Sequence, residues 1–241
     1  MIGLGTIINT VAVIAGGLIG LVLKKGLKPK TQDTLMQACG VSVIFIGISG
    51  TLSKMLVWNN GKLETTGTML LIFSLVIGTL IGEWLDIEEK MERVGDKIKA
   101  MVKAQNDSKF VDGFVNVSLI ICVGAMAIVG SIQDGISGDY SMLAAKAVLD
   151  FIIVMIFAST YGMGAIFSAI LIFLYQGGIT AVAAICGTFV SDMIIHDLSY
   201  VGSVLIFCVG INVAFGKKIN VGNMLPALAA VVVYDIVLQF M

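Results

Sequence analysis

The chain has 241 residues and a formal net charge of −1, with 58% of it hydrophobic and only 13% charged. Soluble domains carry about 25% charged residues, so this composition excludes an ordinary soluble globular protein. The near-zero charge offers no basic field for nucleic acid. The 28 glycines and two prolines suit helices packed closely in lipid.

Apolar runs long enough to cross a hydrocarbon core of ~30 Å need roughly 20 residues each. In chain order they fall near 2–23, 36–57, 67–85, 111–132, 142–160, 163–187, 201–216 and 222–240. The expectation is an all-α polytopic membrane protein, with about eight transmembrane segments (7–9) in a single integral membrane domain spanning 1–241. The first run starts at Met1 with its lysines behind it, so it reads as a retained span and not as a cleaved signal.

Two charged connections interrupt the runs. The first is "KKGLKPKTQD", Lys24 to Asp33, with four lysines. The second, Asp86 to Lys109, has six basic and six acidic residues, with Ile87, Met91, Val94 and Ile98 at helical spacing among them. It predicts a charged amphipathic helical insertion over 86–110. Basic residues gather on the cytoplasmic side. With the N-terminus outside, segments 24–33, 86–110 and 217–218 are cytoplasmic and hold twelve of the fifteen basic residues. The outer loops 58–66, 133–141 and 188–200 hold one, Lys62.

A small-xxx-small pattern recurs at Gly16–Gly20, Gly78–Gly82 and Ala183–Gly187. Each copy is followed by a second related segment, Ser42–Ser49, Ser118–Met126 and Ser203–Asn212. These read as internal repeats, and repeats are common in transporters. Gln176-Gly177-Gly178 divides the sixth run, so a broken or re-entrant helix is expected near 176–178. The recurring small faces also point to a homo-oligomer, expected as a homodimer.

Three stretches, "GTIINTVAVIAGGLIG", "CVGAMAIVGSIQDGISGDYS" and "VGNMLPAL", resemble the YqgA-like family, domain of unknown function 554, over the whole chain. The resemblance implies a bacterial protein of the cytoplasmic (inner) membrane, at most a transporter. It brings no functional residues with it, so the site has to be argued from chemistry.

Lys146 and Asp150 stand four residues apart in a run that otherwise suits lipid. With the helix starting near Met142, Asp150 lies about 12 Å inside. At this spacing the two share a helix face and can pair. The pair reads either as a neutralised contact that sets helix rotation or as a contact for an ion or substrate. The stretch "SIQDGISGDYS", with Gln133 and Asp134, reads as an outer turn opening onto that helix. Gln176 lies at the expected break. Asp235 is a lone carboxylate deep in the last run, either a proton site or a protonated residue bonded to a neighbour. Asp192 and His196, at i and i+4, can place two ligands on one face, but His196 is the only histidine and a catalytic metal normally takes three protein ligands. Asn9 and Asn212 can bridge helices, and Asn223 reads as the N-cap of the last helix with Pro226 in its first turn. The four cysteines sit in apolar runs with no CxxC spacing and read as small buried residues.

The expected function is a membrane transporter or channel for a small solute or ion. Asp134, Lys146, Asp150, Gln176 and Asp235 form the expected pathway, with Asn9, Gln133, Asp192, His196 and Asn212 as secondary candidates. A membrane-embedded enzyme is the alternative, but no HExxH, GxSxG or GxxxxGK[ST] motif occurs. A scaffold or sensor using the 86–110 helix is another. No catalytic residue, metal, cofactor or nucleic-acid partner is expected; the partners are the lipid bilayer and the transported solute.

Overall fold

A computed structural model of the chain describes residues 1–24, 28–59, 61–122, 125–186 and 191–239. The helices are α1 (Leu4–Lys24), α2 (Pro29–Met55), α3 (Thr68–Leu85), α4 (Ile87–Met101), α5 (Phe110–Cys122), α6 (Ala125–Ser137), α7 (Ser141–Tyr161), α8 (Gly164–Cys186), α9 (Asp192–Phe215), α10 (Val221–Met224) and α11 (Pro226–Gln239). A short antiparallel hairpin, β1 (Leu56–Asn59) and β2 (Lys62–Thr65), joins α2 to α3 and pairs Trp58 with Leu63.

Among the described residues, six helices are long and apolar enough to cross a membrane, and seven do so if the bent pair α5–α6 counts as one crossing. The last apolar helix, Val221–Asp235, is shorter. The chain is therefore an all-α polytopic protein, and eight crossings are reached only by including that short helix.

Several expected boundaries move. The interruption expected at 176–178 is absent, because α8 runs unbroken through Gln176, Gly177 and Gly178. An α-helix tolerates an isolated glycine pair when its neighbours keep the backbone ladder intact. The bend lies earlier, between Phe110–Cys122 and Met126–Ser137, which meet at 63°. The outer turn expected at 133–141 shrinks to residues 138–140, since α6 continues to Ser137. The loop expected over 188–200 is helical from Asp192, where Ser191 caps α9 by accepting from the Ile194 N–H at 3.3 Å. Gly187, in the third repeat, lies outside the described residues.

Packing divides the chain into two compact units, with boundaries inside α2 and α4. The first holds α1, α5, α7, α8 and nearly all of α6. Phe110, Phe114, Ile121, Leu143, Val154 and Ile172 are fully buried in it. Glycines set the helix approaches. A Cβ on Gly16 or Gly20 would collide with the Phe151 or Met155 carbonyl oxygen, so α1 lies directly on the backbone of α7. Gly5 meets Leu143 at the other end, so the two helices run in the same direction. Gly164 abuts Phe110 and Gly135 abuts Thr180, so α5–α6 advances with α8. Sixteen residues of α8 separate those contacts, about 24 Å of helix.

The second unit holds the C-terminal part of α2, the hairpin, α3, α9, α10 and α11. Gly40, Gly47 and Gly50 meet Ala214, Phe207 and Ser203, so α2 runs against α9. Gly78 and Gly82 meet Ala227 and Asn223, so α3 runs against α11. Its core includes Leu70, Val201, Leu205 and Val231. The outward faces carry Val11, Leu18, Leu80, Val148 and Leu174, all exposed, which is the surface expected of helices solvated by hydrocarbon.

Candidate functional site

Three helices of the first unit converge on one polar cluster. On α7, the Lys146 Nζ donates to Asp150 Oδ2 at 2.5 Å, and the two residues are 7% and 2% exposed. On α1, Asn9 is fully buried; its Nδ2 lies 2.9 Å from Asp150 Oδ2 and 3.2 Å from Gln176 Oε1 on α8. One turn before Asn9, the Thr6 hydroxyl meets the Thr180 hydroxyl of α8 at 3.5 Å. The close α1–α7 approach set by Gly16 and Gly20 lets a short side chain such as Asn9 reach Asp150. Both charges face protein and not lipid. A buried charge costs several kcal/mol unless it is paired and hydrogen-bonded, and here Lys146 and Asn9 both serve one carboxylate oxygen.

The cluster is only partly self-satisfied. The other amide atoms of the same residues, Asn9 Oδ1 and Gln176 Nε2, are buried without a hydrogen-bond partner. So are the hydroxyls of Ser118 on α5 and Ser131 on α6, which lie on either side of the bend. Cys122, the last residue of α5, is close enough to feel the charges of both Lys146 and Asp150. An unmet polar group in hydrocarbon costs roughly 1–3 kcal/mol or more. This unit therefore presents a buried acceptor, a buried donor and two hydroxyls to any polar group that can reach them.

The other sequence candidates fall elsewhere. Asp134 is not in a loop; it is fully buried on α6. Its two oxygens accept from the Gly3 N–H at 3.1 Å and the Gly5 N–H at 3.0 Å. It thus tethers the start of α1, whose free N–H groups and positive dipole end favour a carboxylate. Gln133 is exposed beside it. In the remaining turn, Asp139 accepts from the Ser141 N–H at 3.0 Å. Its carboxyl is held below the usual carboxylate range by hydrogen bonding to Ser141, side chain first and backbone second.

In the second unit, Asp235 is fully buried, and neither of its oxygens has a hydrogen-bond donor. It is not alone, because Asp197 and His196 of α9 are close enough to act on its charge. His196 Nδ1 lies 2.9 Å from Asp197 Oδ1. The side chain of Asp192 lies outside the described residues, as do those of Cys39 and Cys186. Among the described residues no three His, Cys, Asp or Glu side chains converge as a metal site. Among the described residues Asn212 bridges no helices. Its Oδ1 accepts from the N–H groups of Lys218 and Ile219 at 2.8 and 3.0 Å, folding the turn after α9. Asn223 is no N-cap either, since it lies within α10. Its Oδ1 accepts from the Glu88 N–H at 2.7 Å and its Nδ2 donates to Glu83 at 2.9 Å. Pro226 does open α11.

Sequence reasoning passed over Ser118, Ser131, Cys122 and Glu88. A glycine amid small residues in "CVGAM", flanked by serines in an apolar run, was the available signal for the bend. Glu88 gave none, because it looks like any carboxylate of a solvated helix. It is 7% exposed, accepting from the Gly222 N–H at 2.9 Å and pairing with Lys217 at 2.7 Å. The charged segment is helical over Ile87–Met101, with this end buried.

Apolar helices of membrane-crossing length, lipid-type outward faces and a buried ionic cluster define a polytopic helical membrane protein. The family described as "Protein of unknown function (DUF554)" matches residues 4–236, and the chain belongs to that family. It is 32% identical to "Uncharacterized membrane protein YdfK" of Bacillus subtilis (strain 168) over 224 residues, 93% of this chain and 92% of that protein. It is 28% identical to "Uncharacterized protein YqgA" of Escherichia coli (strain K12) over 235 residues, with 93% of each covered. No solved structure matches.

Proposed function

We propose that the chain moves a small polar solute or ion across the membrane, through the first unit, past Lys146, Asp150, Asn9 and Gln176. One observation carries this reading. An ion pair and two half-satisfied amides sit buried where three membrane helices meet, beside a bent fourth crossing. Charges at such depth mark solute pathways more often than simple packing. Discontinuous helices next to them are a transporter feature. A polar guest that both donates and accepts would meet Asn9 Oδ1 and Gln176 Nε2, and a charged guest would compete for one partner of the pair. Asp134 serves this pathway by anchoring α1, not by lining its mouth.

The same reading makes the chain a transporter or channel and not an enzyme. The lysine distribution supports a cytoplasmic (inner) membrane location with the N-terminus outside. The shared use of Gly16/Gly20 and Gly78/Gly82 supports an internal duplication. A homodimer is part of the proposal, resting on the same small-residue faces.

The experiment is flux across proteoliposomes for a panel of small anions, cations and neutral polar solutes. Asp150→Asn and Gln176→Leu should change rate or selectivity while the protein still inserts and elutes as wild type. Flux at the level of empty vesicles for the whole panel, or flux unaffected by both substitutions, would reject the pathway.

A further inference from the structure

We propose that the cluster of Lys146, Asp150, Asn9 and Gln176 binds a small zwitterion, an α-amino acid with its ammonium and carboxylate one carbon apart. This solute class rests on the transport reading given above. Each of the four side chains holds bonding capacity that the unit leaves unused. Asp150 accepts from Lys146 and Asn9 through Oδ2, and no hydrogen bond reaches its Oδ1 among the described residues. The Lys146 ammonium can donate more than once, and Asp150 is its one hydrogen-bond partner among the described residues. Asn9 Oδ1 and Gln176 Nε2 are buried with no partner. Two acceptors, Asp150 Oδ1 and Asn9 Oδ1, therefore stand with two donors, Lys146 Nζ and Gln176 Nε2. A guest ammonium needs the first kind of group and a guest carboxylate the second.

Charge balance decides between a zwitterion and a single ion. The helices packed on α7 are α1, α5 and α8. Of these, α8 has no charged residue, α1 has Lys24 at its last position and α5 has Asp112 in its first turn. Asp134 of α6 gives both oxygens to the Gly3 and Gly5 N–H groups, at the positive end of α1. Lys146 and Asp150 thus have only each other. A lone anion taken by Lys146 would strand Asp150, and a lone cation on Asp150 would strand Lys146. An uncompensated buried charge is strongly destabilising. A zwitterion strands neither. Its ammonium meets Asp150 Oδ1 and Asn9 Oδ1 while its carboxylate takes Lys146 Nζ and Gln176 Nε2, so one ion pair becomes two and no net charge enters.

Depth and packing limit the guest further. Asp150 lies nine residues into α7, roughly 14 Å of helix, which is beyond the reach of a lipid headgroup, so the zwitterion is a free solute. The room for it lies on the α8 side. A Cβ on Gly16 or Gly20 would strike the α7 backbone, but one on Gly177, next to Gln176, would meet only Thr6 Cγ2, at 3.7 Å. Three packed helices around the cluster admit only a small side chain.

The test is equilibrium binding to the full-length protein in phosphatidylcholine nanodiscs, by isothermal titration calorimetry. The probes are L-alanine, propionate and ethylamine; the last two are alanine without its amine and without its carboxylate. L-Alanine should bind saturably, and each half-molecule about tenfold or more weaker, for loss of a charged hydrogen-bonding group. Asp150→Asn should weaken alanine by about the same factor and leave propionate bound at least as tightly as alanine, a reversal that a loosened fold does not produce. Gln176→Leu should weaken alanine by a smaller factor. If Asp150→Asn does not fold, Lys146→Met/Asp150→Leu removes both charges together and should abolish alanine binding. Three results would overturn the proposal: propionate or ethylamine binding the wild type as tightly as alanine, no binding of glycine, L-alanine or L-serine, or alanine binding unchanged in Asp150→Asn or the double variant. Because binding is read without flux, the two readings fail separately. Ion flux altered by Asp150→Asn with no alanine bound keeps the pathway and rejects the zwitterion, whereas alanine bound but not carried keeps the site and rejects transport.

Discussion

The two units apply the same helix-packing device to partners that run in opposite directions. In the first, Gly16 and Gly20 of α1 lie on the backbone of α7, which runs parallel to α1. In the second, Gly78 and Gly82 of α3 lie on Ala227 and Asn223 of a segment running antiparallel. A small residue every four positions thus sets how close two backbones come, not which way the second one points. The buried polar chemistry differs too. The first unit pairs a lysine with an aspartate and adds amides. The second buries Asp235, whose oxygens have no hydrogen-bond donor among the described residues, and sets its ion pair, Glu88 with Lys217, elsewhere. Asp150 of the first unit has a lysine beside it, whereas Asp235 of the second has no hydrogen-bond donor among the described residues.

The sharpest way to break this comparison is to remove one charge from each unit. Lys146→Met strands Asp150 and should cost about 3–5 kcal/mol, read by denaturant unfolding in mild detergent. Adding Asp150→Leu should recover much of that loss, since the uncompensated charge is gone. Asp235→Asn removes no ion pair and should be neutral or stabilising. Equal losses for Lys146→Met and Asp235→Asn would show that the two sites are electrostatically alike.

The packing half of the comparison is probed by Gly16→Val and Gly82→Val. Each places side-chain atoms against a main chain that cannot yield, and each should cost about 1–3 kcal/mol or prevent accumulation of folded protein. If thermal melting showed one tolerated and the other not, the two contacts would not be equivalent.

A smaller loss is expected for Asp134→Asn. The side chain keeps its shape but loses its charge at the N-terminus of α1, worth about 0.3–2 kcal/mol. Hydrogen exchange should rise at residues 3–6 and stay level in the second unit; a rise spread over both would reject the local tether. The smallest effect should have the opposite sign. Gly178 has nothing within 4 Å of where a Cβ would lie, and α8 is continuous there. Gly178→Ala should stabilise by about 0.5–1 kcal/mol, whereas a destabilised variant would argue for a break at this position after all.

Much of this was decided by composition and local pattern. Runs of apolar residues near membrane-crossing length become helices because a backbone in hydrocarbon must satisfy its own polar groups. The Lys146–Asp150 pairing follows from four-residue spacing alone. The charged 86–110 stretch is helical for most of its length because its apolar residues recur at helical period. Tertiary structure decided what those helices do with their polar atoms. Gln176-Gly177-Gly178 looks like a break, but α8 stays whole there and the bend falls between α5 and α6. Asp134 looks like a loop residue, yet it becomes a buried anchor because the start of α1 brings free N–H groups to it. Asp235 looks solitary in its own segment, and only the packing of α11 on α9 gives it a second carboxyl and a histidine. Local pattern governs backbone state. Which side chains meet depends on contacts more than a hundred residues apart in Asn9–Asp150, and no spacing within one segment encodes them.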